Sequence, residues 1–376
     1  MALFSEKYKY PTTDTNLYVA TANAHIDKIY AAEKWVSDSF FLAVVSFLSR
    51  VNLEQHNGGP FGAAIVAFDG GLDCNGKGIG KPRLIGVGTN HVVPNNDPSA
   101  HAEMEAFRDA ARRQGSSDLK GTVLYTSCEC CPMCLSIANG SGIARILYAN
   151  TRAQAEEIGF SDRLQYDMFR LSRTQQMTSM DHLTPERRAH ILKKLGAHGA
   201  VILDNRDEIF AHGDPETCKD PTSIASLNAV RNAVKNYARQ RRQTGIAESI
   251  FYVPDDFTLV CKDIPHPAGL VAADWARMLR RHDPNDPQNP TKDEKIPDPQ
   301  RVLHATHNYE ALVVTDCHGQ THVHQDTRLT YQQPLLPDDA RIVHTERCTK
   351  PLILKEAAAI FSLWKNGTRD GHQIKY

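Results

Sequence analysis

The sequence carries almost no net charge: 43 Lys and Arg side chains face 44 Asp and Glu, leaving −1 at neutral pH with histidine uncharged. The isoelectric point is near 7.0. That balance excludes a global electrostatic pull toward nucleic acid or an anionic membrane. The short basic patches, Arg239 to Arg242 and Arg277 to Arg281, read as solvated helix faces. A long apolar run is also missing. The most apolar stretch, Phe40 to Leu48, is too short to span a bilayer, which excludes a membrane helix there. No secretory signal precedes the first helix, so a cytoplasmic location is expected. Cysteine is scarce and uneven. There are nine in 376 residues, and four of them fall between Cys128 and Cys134. An odd, clustered set without a secretory signal points to metal binding rather than a disulfide framework.

What is present is organised around residues 90–134. Asn90 leads to Asp97-Pro98-Ser99-Ala100-His101-Ala102-Glu103, and a helix and a strand later comes Cys128-Glu129-Cys130-Cys131-Pro132-Met133-Cys134. His-x-Glu followed by Cys-x-x-Cys supplies one imidazole, two thiolates and a carboxylate. His101, Cys131 and Cys134 make a three-ligand Zn2+ site with the fourth position open, the mark of a catalytic rather than a structural zinc. Water at such a position loses a proton near neutral pH. Glu103, two residues past the histidine, is placed to shuttle protons without ligating metal. The alternative is a structural zinc with Cys128 or Cys130 as fourth ligand.

The remaining pattern is that of an α/β protein. Residues 1–22 read as extended and polar, and Ala24 to Ser49 as one long helix or two short ones. Ala63 to Phe68 and Leu84 to Gly88 read as strands around an exposed hairpin tip at 69–81. His101 to Arg113 reads as a helix capped by Ser99 or Asp97. Val123 to Thr126 is a third strand, Pro132 opens a helix, and Ile143 to Tyr148 is a fourth strand. Strands alternating with helices predict helices packed against a central sheet. In this arrangement the ligands sit at two helix N-termini, which favour thiolate over thiol.

The second half looks like a degenerate repeat of the first. Gly199 to Leu203 echoes Gly62 to Val66, and Asp220 to Ala233 echoes Asp97 to Ala110. In that register Ile224 replaces His101, Ser226 replaces Glu103, Gly213 stands for Asn90, and His266-Pro267-Ala268-Gly269 stands for Cys131 to Cys134. Only His266 could still ligate a metal, so no zinc is expected in the copy. Ala268 to Arg281 then reads as a helix, 283–300 as an inserted loop, Glu310 to Thr315 as the copy's fourth strand, and Lys350 to Lys365 as a final helix. The expected layout is a tandem pseudo-dimer: 1–170 holding the zinc site and 171–376 degenerate, with a homodimer of whole chains also compatible.

Residues 57–162 resemble the cytidine-deaminase superfamily, and within it the guanine and guanosine deaminases. The resemblance rests on Gly58-Gly59-Pro60-Phe61-Gly62-Ala63, Asn90, the 97–103 and 125–134 motifs, and Ile158-Gly159-Phe160-Ser161-Asp162. It implies a cytidine-deaminase-like α/β/α sandwich and hydrolytic deamination of a purine base, with guanine first, releasing ammonia. It further implies that Asn90 reads the purine edge, Phe61 packs on the base, Asp162 contacts the base and moves protons, and the Ala102 N–H donates into the pocket. Phe361-Ser362-Leu363-Trp364-Lys365-Asn366 and the terminal Tyr376 resemble a family tail, which implies that the second half's tail closes the first half's pocket. The sequence departs from the family in having Cys130, where a proline usually precedes the first ligand cysteine. A purine nucleoside, a modified heterocycle and a tRNA adenosine are alternative substrates. The near-neutral charge argues against RNA, because phosphate contacts need clustered Lys and Arg.

Overall fold

The computed structural model describes residues 14–373 apart from 75, 171–177, 217–218, 245–252, 255, 264, 282–301, 305–310, 316–320, 327–332, 338–340, 342, 367 and 370–371. The expected loop at 283–300 and Tyr376 lie outside the described residues. The chain opens with helices α1 (Thr15–Glu33) and α2 (Asp38–Glu54). The first corrects the extended reading over residues 15–22, and residues 1–13 of that reading lie outside the described residues. Asp14 accepts from the backbone N–H groups of Asn16 and Leu17, and that N-cap starts a helix ten residues before the apolar pattern becomes obvious.

Strands β1 (Gly62–Phe68) and β2 (Pro82–Thr89), helix α3 (Ala102–Gln114), strand β3 (Val123–Cys128), helix α4 (Pro132–Gly140) and strand β4 (Arg145–Asn150) follow. After helix α5 (Arg163–Arg170) come β5 (Thr178–Ser179), α6 (Pro185–Leu195), β6 (Ala200–Leu203), β7 (Ile209–Gly213), α7 (Ala225–Gln243), β8 (Thr258–Cys261), α8 (Pro267–Arg281) and β9 (Val302–His304). Strand β10 (His344–Arg347) and helix α9 (Pro351–Asn366) come last.

Two five-stranded sheets result, ordered β10-β4-β3-β1-β2 and β5-β9-β8-β6-β7. In both, three antiparallel strands are extended by two parallel ones. A register shift falls between Ile65 and Val66 in one and between Ile202 and Leu203 in the other. The first sheet takes its edge strand from across residue 170. β10 follows the second sheet in the chain yet pairs with β4, where Arg145 bonds both Glu346 and, at 3.2 Å, Asp38. The strand beside β8 is Val302–His304. The expected fourth strand overlaps Ala311–Thr315, which instead forms a separate hairpin with Thr321–Asp326. Three residues of parallel pairing sufficed for the real strand, too short a run to see in sequence.

The helices α3, α4, α7 and α8 lie between the sheets in one continuous apolar core that includes Phe107, Met133, Ile137, Val230, Val271 and Ala272. Helices α1, α2 and α9 cover the outer face of the first sheet, and α6 covers that of the second. Among the described residues no helix is long and apolar enough to cross a membrane.

Glycine brings α3 and α7 down onto their strands. A Cβ on Gly88 would lie 2.1 Å from the Ala102 carbonyl oxygen and 2.4 Å from the Ala106 nitrogen. A Cβ on Gly213 would meet the Ala225 oxygen at 2.1 Å and the Ala229 nitrogen at 2.3 Å. This corrects the register. Ala63 faces Gly88 across the sheet and Ala200 faces Gly213, so Gly213 matches Gly88 and not Asn90. Replacing Gly88 by Ala must push α3 off the sheet. Urea denaturation of Gly88→Ala is expected to show a loss of about 3 kcal/mol, whereas an unchanged midpoint would mean that α3 does not depend on this contact.

Candidate active site

His101 is the N-cap of α3 and Cys131 the N-cap of α4. Helix α4 starts just past β3, and α3 after the loop that follows β2, and their two sets of unpaired backbone N–H groups converge on one point. The helix-cap reading is corrected here. No side chain caps α3. Asp97 instead folds the loop before it, accepting from the Ser99 backbone N–H at 2.9 Å and hydroxyl at 2.6 Å.

The three ligand atoms form a compact triangle: His101 Nδ1 to Cys131 Sγ 3.5 Å, His101 Nδ1 to Cys134 Sγ 3.7 Å, and Cys131 Sγ to Cys134 Sγ 3.6 Å. Tetrahedral zinc with its usual bond lengths requires edges of roughly 3.5 Å between nitrogen and sulfur and roughly 3.8 Å between sulfurs. The residues therefore fit Zn2+. The cluster whose donor atoms all lie within 4.8 Å of one another contains His101, Cys131 and Cys134 and neither Cys128 nor Cys130. The fourth-cysteine alternative therefore has no geometric support. Cys130 Sγ is 4.0 Å from Glu103 Oε1, and Cys128 Sγ points to the Thr151 carbonyl oxygen at 3.7 Å. Burial opposes ionisation of Cys131. The hydrogen bond from Cys134 and the charge of His101 outweigh it and hold the thiol well below its ordinary range.

Glu103 stands beside the triangle, buried, with Oε2 3.5 Å from Cys134 Sγ. Thr126 donates its hydroxyl to Oε1 at 2.7 Å, which fixes the carboxyl's orientation. Burial first, and the Cys131 charge second, raise its pKa above the ordinary carboxylate value, as a proton carrier at neutral pH needs.

In front of this group opens a cavity of about 670 Å³, counted to its solvent-facing mouth. Phe61, Asn90, Ala102 and Asp162, the substrate contacts that the resemblance implies, all line it. Phe61 meets Phe160 edge to face at 4.8 Å and Phe361 of α9 at 5.6 Å. Phe160 in turn meets Trp364 at 5.4 Å. The C-terminal helix thus backs one wall of the cavity. The Asn90 side-chain oxygen accepts from the Gly59 backbone N–H at 3.4 Å and its carbonyl from Asn52 Nδ2 at 3.0 Å, which hold the residue in place. Burial lifts Asp162 to about 7 against the opposing charge of Arg152, whose Nε lies 3.5 Å away.

Sequence reasoning missed Arg152 and Trp275. Arg152 lies flat over the Tyr166 ring at 3.6 Å and beside Asp162. It stands alone after a strand, so no pattern marks it. Trp275 sits on α8, more than a hundred residues away in the chain, and its ring meets the His101 imidazole at 5.3 Å. Its only sequence signal is membership of an apolar helix face.

The corresponding place in the second half is filled. Ser226 and His266 are buried, and a Cβ on Gly269 would lie 2.0 Å from Ser226 Oγ. Burial presses the His266 imidazole down to about 4, and its Nδ1 accepts from the Ala268 backbone N–H at 3.1 Å. His266 is thus neutral and engaged with its own helix start.

Residues 38–150 match the family described as the cytidine and deoxycytidylate deaminase zinc-binding region. The chain is 40% identical over 134 residues to guanine deaminase of Bacillus subtilis, covering 34% of this chain and 78% of that protein. It is 32% identical over 112 residues to a tRNA-specific adenosine deaminase of Buchnera aphidicola, covering 30% of this chain and 60% of that protein. Against the crystal structure of the Bacillus subtilis guanine deaminase the identity is 36%, with 35% of this chain and 76% of that chain covered and a TM-score of 0.31.

Metal analysis of single variants checks the ligand set. Cys131→Ser and Cys134→Ser are expected to lose most of the zinc, and Cys128→Ser and Cys130→Ser to keep it; the reverse pattern would move the site. Acid unfolding checks Asp97. Its burial penalty is outweighed by Arg108 and Arg231, which hold it at about 2. Because the folded pKa is depressed, this stabilisation is present above about pH 4 and is lost as the pH falls toward 2. The difference amounts to about 2 kcal/mol. Asp97→Asn should remove that part of the pH dependence, seen as a smaller stability change between pH 5 and pH 2.5 than in the wild type.

Proposed function

The chain belongs to the cytidine and deoxycytidylate deaminase family of zinc-dependent hydrolytic deaminases, and on that footing we propose that it releases ammonia from a free purine base, guanine first. The observation that carries the reading is the buried Glu103 carboxyl beside the His101, Cys131 and Cys134 triangle, at the floor of a cavity walled by aromatic rings. The 40% identity to a guanine deaminase over most of that protein's length supports guanine in particular.

Zinc held by the three ligands supplies a Lewis acid that lowers the pKa of water to near neutrality. The chain's own residues supply the rest. Glu103, oriented by Thr126, takes the proton of the attacking water and passes it to the ring nitrogen and then to the leaving amine. Phe61, crossed by Phe160, holds the flat ring. Asn90 and the Ala102 N–H offer polar groups to its edge, and Asp162, poised near neutrality, exchanges a proton with it. The closed aromatic wall limits water in the cavity.

We read residues 171–343 as a degenerate copy that serves as a permanent partner for the first sheet, so that one chain does what two copies of a homodimer would do. The identical strand order, the matching register shifts and the Gly88 and Gly213 contacts support this. A reducing, cytoplasmic setting suits a site built on two thiolates. A second reading, deamination of a tRNA adenosine, draws on the likeness to tRNA-specific deaminases. The net charge of −1 weighs against it.

Ammonia release from the zinc-loaded protein over guanine, guanosine, adenine, adenosine, cytosine, cytidine and a tRNA anticodon stem decides among these. Guanine turning over fastest is the expected result. Activity on RNA alone, falling steeply with salt, would replace it with the tRNA reading. Glu103→Gln is expected to keep its zinc and lose turnover by about 10²–10⁴-fold; loss of zinc instead would make Glu103 structural.

A further inference from the structure

We infer that His198, His212 and Asp214 form a second metal site, on the surface of the half without the zinc triangle, which takes a borderline divalent transition ion (Zn2+, Ni2+ or Cu2+) through two imidazoles and one carboxylate. The inference does not rest on the purine reading, since none of the three residues lines the deaminase cavity.

One hairpin builds the group. His212 lies on β7, and Asp214 follows the last residue of that strand, Gly213. Side chains two apart on an extended strand point to one face. Burial agrees: Gly213 is buried, and His212 and Asp214 on either side of it are exposed. Strand β6 runs antiparallel beside β7 with Ala200 opposite Gly213, which brings His198, two residues before β6, beside Asp214. The turn after α6 sets His198. Gly196 takes a φ of +55°, and the His198 backbone N–H donates to the Leu195 carbonyl at 2.9 Å.

The donor atoms are already gathered. One ligand atom from each of the three residues lies within 4.8 Å of the other two. His198 Nδ1 is 3.1 Å from Asp214 Oδ2. Ligands bound to one ion at roughly 2.1 Å lie roughly 3.0–3.4 Å apart, so this edge already fits. The His198 and His212 rings are stacked, with centroids 4.5 Å apart and planes at 25°. Two imidazolium charges that close would repel each other, whereas two neutral imidazoles can share one cation. The backbone beneath is fixed. Asn228 Nδ2 of α7 donates to the Asp214 carbonyl at 2.8 Å and Asn232 Nδ2 to that of His212 at 2.9 Å, while the Gly199 N–H donates to Asp214 Oδ1 at 3.3 Å. The side chains of His198 and Asp214 are 36% and 51% exposed, so an ion from solvent reaches them and water completes its shell.

The donor set chooses the ion. Imidazole nitrogen suits Zn2+, Ni2+ and Cu2+, and the site offers too few oxygens for Mg2+ or Ca2+. A bound ion would tie the segment before β6 to the end of β7, and binding to the folded state alone stabilises it.

The test titrates the zinc-loaded protein, free of any polyhistidine tag, with Ni2+ by calorimetry, followed by metal analysis. The expected result is uptake of one Ni2+ with the catalytic zinc retained and the melting temperature raised. Mg2+ and Ca2+ at the same concentration should do neither. His212→Ala and Asp214→Asn are each expected to weaken Ni2+ binding by about 100-fold, with zinc content and ammonia release unchanged. All three side chains are accessible, so the variants should fold; if His212→Ala does not, His198→Gln gives the same reading. No Ni2+ uptake by the wild type would overturn the inference. Uptake undiminished in the variants would also overturn it, by placing the ion elsewhere. Equal uptake of Mg2+ would overturn it too, by reducing the group to an unselective charged surface.

Discussion

The structure turns on a buried carboxylate. Asp97 is 2% exposed, and taking its charge out of water costs several kcal/mol unless cations replace the lost solvent. Arg231 of α7 bonds it at 2.8 Å, and Arg108 of α3 lies 4.0 Å away. Arg108 also bonds Ser99 and, across the interface, Thr222. The loop that delivers His101 to the metal site is therefore clamped from both halves. Separating the halves would strand the charge, so the zinc-binding half depends on the other for the geometry of its own ligand loop.

That dependence extends to the sheet edge. The first sheet ends on β10, drawn from after the second sheet. Unpaired sheet edges invite non-native pairing, and the borrowed strand covers one edge of the first sheet. Helix α9 then places Phe361 behind Phe61, and α8 places Trp275 over His101. The matching place in the second half is packed shut. Where the first half keeps Glu103 and Cys134, the second sets Ser226 against Gly269 with no room for a side chain between them.

The two alternating halves were legible because strands and helices impose different apolar periods, and the order of elements followed from reading them in turn. What failed did so for local reasons. α1 was hidden because its exposed face is polar and its cap is a single aspartate. The cap expected on α3 was absent because Asp97 and Ser99 bond each other, Asp97 also accepting from Arg231 and Ser99 from Arg108. The strand beside β8 is only three residues long, and a more apolar stretch at Ala311–Thr315 drew attention from it. The register expected around Gly213 was two positions off, since only strand pairing reveals which glycine faces which alanine.

By itself the sequence determined the metal triangle and the carboxylate beside it. His101 with Glu103, and Cys131 with Cys134, are pairs set by spacing along two helix starts, and such local geometry follows directly from residue order. The tertiary structure alone decided what surrounds them. Arg231 reaches Asp97 across 134 positions. Trp275 belongs to helix α8, and Phe361 acts from behind Phe61 rather than in the cavity itself. Such contacts depend on how whole faces pack, and no spacing in the chain encodes them.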